Sequence, residues 1–246
     1  VLRSSIREFL GQELMYSLGV PTTRSLTLFV SKKDTVKRPW YKKNSESFDP
    51  EIIIDNLIAI STRVAPSFLR IGQIELFARR VKNNSHKDSF NELHMIVNHL
   101  IQRNYNKEIN INKSFSEQVV DLAFLYRKRL TSLVANWIRI GYCQGNFNSD
   151  NCAIGGYTLD YGPFGFCELF DPAFQPWVGG GAHFSFFNQP LAAEKNFKMF
   201  CNSLKPLIEA NKKSLEKLDE IINGFSYCME EEMNLMWQKK LGLKAF

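Results

Sequence analysis

The sequence has no C-x-x-C pair, no internal repeat, no low-complexity tract, and no apolar run near the ~18–20 residues of a membrane span. Each absence excludes something. The five cysteines (Cys143, Cys152, Cys167, Cys201 and Cys228) are scattered without metal-ligand spacing. They argue for reduced thiols in a reducing compartment, not for a zinc module or a disulfide framework. His94 and His99 miss the i, i+4 spacing of a zinc helix and read as ordinary helix residues. The opening VLRSSIREFL carries neither the apolar segment nor the cleavage site of a signal peptide. It starts inside a helical pattern without an initiator methionine, so a fragment is expected.

What is present is ordinary for a globular protein: 246 residues, 44% hydrophobic, 23% charged. The formal net charge of +6 owes much to Lys32, Lys33, Lys37, Arg38, Lys42 and Lys43, grouped around Pro39, Trp40 and Tyr41. Such a cluster suits an acidic partner or nucleic acid. The simpler reading is a solvated basic loop between two strands, and no nucleic-acid partner is expected.

Apolar periodicity places the elements. Leu2, Ile6, Phe9, Leu10, Leu14 and Leu18 predict a helix over residues 1–18, stopped by Gly19 and Pro21. Alternation predicts a strand over 24–30, then a polar loop over 31–50. The β-branched run 52–60 predicts a second strand, continued or paired by 61–65 and broken at Pro66. Helices follow over 74–81 and 90–101. A long one carries Val119, Leu122, Tyr126, Leu130, Trp137 and Ile138, capped by Ser114 or Ser116. Helical periodicity returns over 191–242.

Chemistry concentrates in residues 141–166, GYCQGNFNSDNCAIGGYTLDYGPFGF. Asn151 and Asp160 offer the hard oxygen ligands that Mg²⁺ takes, with nucleotide phosphates and water completing an octahedral shell. Asp150 can serve as base for an attacking hydroxyl. The intervening Ala153-Ile154, Gly-Gly and residues 157–159 predict a small hairpin returning Asp160 beside Asn151. Upstream, Arg63 and Arg70 flank the break in RVAPSFLR, and two guanidinium forks there can converge on one anion. Asp160-Tyr161-Gly162 resembles the metal-binding Asp-Phe-Gly of protein kinases. No His-Arg-Asp precedes it, and Asp150 and Asn151 are adjacent where kinases separate the corresponding pair.

Together the stretches VLRSSIREFL, GVPTTRSL, RVAPSFLR, NFNSDN, LDYGPFGF with FDP, and FNQP resemble the selenoprotein O family of protein adenylyltransferases, over residues 1–190. The resemblance implies an α+β, protein-kinase-like two-lobe fold. Residues 1–64 would be the remainder of the N-lobe, and residues 65–246 a mostly helical C-lobe carrying the catalytic loop. It implies transfer of AMP from ATP, with Mg²⁺ or Mn²⁺, to Ser, Thr or Tyr hydroxyls of proteins. It also implies a location in the bacterial cytoplasm or the eukaryotic mitochondrion. Glu8 matches the glutamate that pairs with a nucleotide-binding lysine. Arg63 and Arg70 match the arginines on the terminal phosphates, Asp150 the proton acceptor, and Asn151 and Asp160 the metal ligands. Gln144-Gly145 stands where the family has His-Gly. The lysine and its Gly-rich segment have no counterpart in the sequence, so the chain alone is expected to lack activity. Kinase-type phosphotransfer and a non-catalytic pseudokinase module remain the alternatives.

Overall fold

Helix α1 (Leu2–Ser17) ends where the sequence places its stop. Gly19 adopts φ +74, a left-handed conformation open to glycine. The structure is a computed structural model that describes residues 1–41, 48–177 and 179–243. Lys42 and Lys43 of the basic cluster lie outside the described residues. The chain divides into two compact units, residues 1–19 with 23–65, and residues 20–22 with 66–246.

The first unit is α1 and a long antiparallel hairpin, β1 (Arg24–Tyr41) and β2 (Phe48–Val64). Glu13 on α1 receives Arg24 through Nε and Nη2 at 2.9 and 2.8 Å, and the Ser25 amide at 2.9 Å. The Arg24 guanidinium holds the Glu13 carboxyl below its usual range and lies over the Tyr16 ring. On α1 the apolar residues Ile6, Leu10 and Leu14 are exposed, while Ser5, Gly11, Gln12 and Met15 are buried. Small side chains let the helix sit close on the hairpin, and the buried Gln12 amide accepts from Thr23 Oγ1. The segment 31–50 is not all loop, because β1 continues to Tyr41. The register jumps from Val30↔Ala59 to Thr35↔Leu57, so residues 31–34 form a bulge, turned by Ser31 Oγ accepting the Asp34 amide at 2.9 Å. Pairing then resumes through Lys37↔Asp55 and Pro39↔Ile53. Proline is tolerated there because a two-stranded ribbon leaves outward-facing amides with no ladder bond to make.

The second unit is helical around α4 (Phe115–Arg139), whose start is fixed by a capping box between Ser114 and Glu117. Its buried side, including Leu122, Tyr126, Leu130, Val134 and Trp137, is packed by helices on several sides. These are α3 (Ser89–Asn104), α5 (Gln189–Leu204), α6 (Lys212–Asn223) and α7 (Phe225–Leu241). Tyr126 meets Phe200 edge-on at 5.0 Å. α2 (Ile71–Lys82) packs on α3 and α5. A two-residue ladder, β3 (Tyr142–Cys143) with β4 (Gly165–Phe166), closes the base of the 141–166 segment. The architecture is mixed α/β. Among the described residues no helix is long and apolar enough to cross a membrane.

Candidate functional site

The loop is built from its own side chains. After α4 the chain turns at Gly141, φ +73, and enters β3. Gln144 follows, almost fully buried. Its amide nitrogen Nε2 donates to the Asp160 carbonyl at 3.0 Å, and its Oε1 accepts the Tyr142 hydroxyl. Its backbone N–H donates to Gln189 Oε1 at 2.9 Å, and Gln189 donates back to the Tyr142 carbonyl. So Gln144 ties the Asp160 main chain to β3 and to the start of α5.

Asp150 and Asn151 share one turn of 3₁₀ helix, Ser149–Asn151. Asn148 caps it, with Oδ1 accepting from the Asp150 and Asn151 amides at 3.0 and 3.1 Å. Asp150 is exposed; Asn151 and Asp160 are half-buried. Asn151 Nδ2 donates to the Asn146 carbonyl at 2.8 Å, which fixes the amide and presents its Oδ1 as the acceptor.

The expected hairpin between these residues takes the form of an antiparallel bridge, Cys152↔Thr158, closed through Gly156 at φ +76. Several groups anchor it. Trp137 Nε1 donates to Thr158 Oγ1 at 2.8 Å, and the Tyr105 hydroxyl donates to the Ile154 carbonyl at 2.6 Å. The Thr158 amide donates to the Pro21 carbonyl at 2.9 Å. Just beyond the bridge comes Asp160. The next residue, Tyr161, is buried against Tyr142 and Phe164, and its hydroxyl hydrogen-bonds Thr22 Oγ1.

Arg70 joins this loop through its backbone. It bridges Ala153, and the flanking bonds run from the Ile71 amide to the Cys152 carbonyl and from the Ile154 amide to the Leu69 carbonyl. It is also the N-cap of α2, its own amide donating to Gln73 Oε1 at 3.0 Å. Arg63 and Glu8 belong to the other unit, where Arg63 Nη1 lies 3.4 Å from Glu8 Oε1. The structure thus groups Arg70, Asp150, Asn151 and Asp160 in one unit, and Glu8 with Arg63 in the other. The sequence reading singled out Gln144 but not its partners, and missed Gln189, Asn148 and Thr22 as supports. Only Asn148 carried a local signal, a cap residue just before a polar turn.

All five cysteines are free thiols. Burial pushes Cys143 and Cys152 each up to about 12, so both are neutral and poorly nucleophilic. Cys152 instead packs against the Tyr126 hydroxyl at 3.1 Å.

Asn151 and Asp160 carry oxygen donors of the type a hard divalent cation takes. Among the described residues no group of three or more His, Cys, Asp or Glu could hold a metal alone. What the loop offers is one amide oxygen, on Asn151, and one carboxylate, on Asp160. That is a short all-oxygen set of the kind Mg²⁺ accepts when phosphates and water supply the rest.

The family model described as protein adenylyltransferase SelO matches residues 1–246. The relatives are named protein nucleotidyltransferase YdiU. One from Azoarcus sp. (strain BH72) is 35% identical over 247 residues, covering 100% of this chain and 43% of the relative. One from Aromatoleum aromaticum is 34% identical over 248 residues, again covering 100% and 43%. One from Rhodopirellula baltica is 33% identical over 250 residues, with the same coverage. The chain therefore spans less than half the length of these relatives. It belongs to the SelO family.

Proposed function

We propose that this chain is part of a metal-dependent protein adenylyltransferase, which moves AMP from ATP to Ser, Thr or Tyr hydroxyls of other proteins. The observation that supports the reading is the match of all 246 residues to a family described as protein adenylyltransferase SelO. In this reading residues 1–64 are the remainder of a kinase-like N-lobe, and residues 65–246 the C-lobe.

Asp150 takes the proton of the incoming hydroxyl. Its exposure on the 149–151 turn suits a hydroxyl presented on a macromolecule. The freed oxygen attacks the α-phosphorus in line, the new P–O bond forms, and the bond to the β-phosphate oxygen breaks, releasing pyrophosphate. Asn151 and Asp160 would hold Mg²⁺ or Mn²⁺, which neutralises phosphate charge when bound. Arg63 and Arg70 hold the terminal phosphates, and Glu8 orients a nucleotide-binding lysine. Positioning and charge stabilisation supply most of the acceleration.

The test uses the full-length protein with ATP labelled at either the α- or the γ-phosphate. The reading expects α-label on protein and none from γ. Label from γ alone would instead indicate kinase-type transfer. No label from either, with no nucleotide-dependent thermal shift, would favour a binding module.

A further inference from the structure

We infer that Gly72 is a positioning residue for Asp150, because the Asp150 carboxylate occupies the space that any side chain at position 72 would need. The inference rests on the reading of Asp150 as proton acceptor. Gly72 lies in the first turn of α2, and a Cβ built on it falls 2.2 Å from Asp150 Oδ1 and 3.2 Å from Asp150 Cγ. Ser149 Oγ follows at 3.4 Å. The α2 start and the loop therefore meet through the carboxylate itself, laid over bare backbone.

Neither side of this contact can back away cheaply. Backbone bonds from Ile71 to Cys152 (3.1 Å) and from Ile154 to Leu69 (3.0 Å) hold the α2 start to the loop, beside the Arg70↔Ala153 bridge. On the other side, Asn148 Oδ1 pins the Asp150 and Asn151 amides. The one part free to yield is the end of the Asp150 side chain, which is exposed and rotates readily. A methyl group at position 72 thus evicts the carboxylate and leaves the fold in place. Nothing in the backbone at Gly72 demands glycine otherwise: it is helical, where alanine is the better residue.

The experiment compares Gly72→Ala, Asp150→Asn, Asp150→Ala and the double variant Gly72→Ala/Asp150→Ala in the full-length protein. Thermal unfolding is followed alongside transfer kinetics with ATP and a protein acceptor. Displacing a reacting group by about 1 Å costs roughly 100-fold. The expected result for Gly72→Ala is a kcat lower by about that factor, with KM for ATP and the unfolding midpoint close to wild type. Wild-type kcat in Gly72→Ala, with Asp150→Asn inactive, would overturn the inference and leave the proton-acceptor reading standing. Full activity in Asp150→Asn would overturn that reading. If Gly72→Ala alone unfolds, recovery of the Asp150→Ala midpoint in the double variant supports the contact. Failure to recover overturns it.

Discussion

Arg63 and Glu8 form an ion pair inside the helix–hairpin unit, Nη1 to Oε1 at 3.4 Å. One residue was expected to hold phosphate and the other to orient a lysine, and the structure joins them directly. Their side chains are 26% and 23% exposed, so part of each remains open to solvent. An ion pair of this kind contributes less than about 1 kcal/mol to stability. The pairing therefore aligns two groups more than it holds the unit together.

Arg63→Ala should accordingly leave the unfolding midpoint nearly unchanged and weaken ATP binding. Loss of a charge-assisted contact to phosphate costs about 1.5–3 kcal/mol, or roughly 10–100-fold in Kd. Calorimetric titration of full-length Arg63→Ala and Arg70→Ala with ATP checks this. Wild-type affinity in both would remove the arginines from the nucleotide site.

Gln144→Leu should weaken metal–nucleotide binding. The leucine removes both the hydrogen bond that Gln144 donates to the Asp160 carbonyl and the one it accepts from the buried Tyr142 hydroxyl. Each lost hydrogen bond costs about 0.5–1.5 kcal/mol. Both a lower unfolding free energy and a raised apparent Kd for Mg²⁺–ATP are expected. Gln144→His should restore much of the loss, because an imidazole can also donate and accept.

Thr158→Val should destabilise the second unit while leaving its shape intact. It keeps the side-chain volume but strips the acceptor from Trp137 Nε1, a fully buried indole nitrogen. The expected cost is about 1–3 kcal/mol in urea unfolding. Trp137→Phe, which removes donor and ring volume together, should cost at least as much.

Stability should fall at alkaline pH. Burial raises Cys143 and Cys152 each to about 12 in the folded chain. An unfolded thiol titrates near ~8.5. Above that value the unfolded state releases protons that the folded state keeps, so alkali favours unfolding. The stabilisation is complete below about pH 8.5 and is lost on the way towards 12, at about 1.4 kcal/mol per pH unit for each thiol. Cys143→Ala and Cys152→Ala should each flatten the decline in unfolding free energy measured over that range.

Much of the helical unit was legible because one local signal sufficed for each element. The Ser114–Glu117 box marks the start of α4, and Leu122, Tyr126, Leu130 and Trp137 mark its buried side. The face of α1 was not legible. Periodicity finds a helix but does not say what covers it, and the buried contacts there belong to Ser5, Gly11 and Gln12. The far half of β1 was missed because its side chains are polar and its pairing resumes only after the 31–34 bulge. In the candidate site, Asp150, Asn151 and Asp160 stood out by residue type and by the Gly-Gly turn between them. The supports did not, since Gln144 meets Gln189 and Thr22 meets Tyr161 across long stretches of chain. Gly72 was silent for the same reason: its role depends on a carboxylate 78 positions away.

The central claim, adenylyl transfer dependent on Asp150, is tested most directly by intact mass. Full-length wild type and Asp150→Asn are each incubated with ATP, Mg²⁺ and an acceptor protein, and the acceptor is weighed. The account predicts a gain of one or more adenylyl groups with wild type and none with Asp150→Asn. A gain of phosphoryl groups, or equal adenylylation by both proteins, would contradict it.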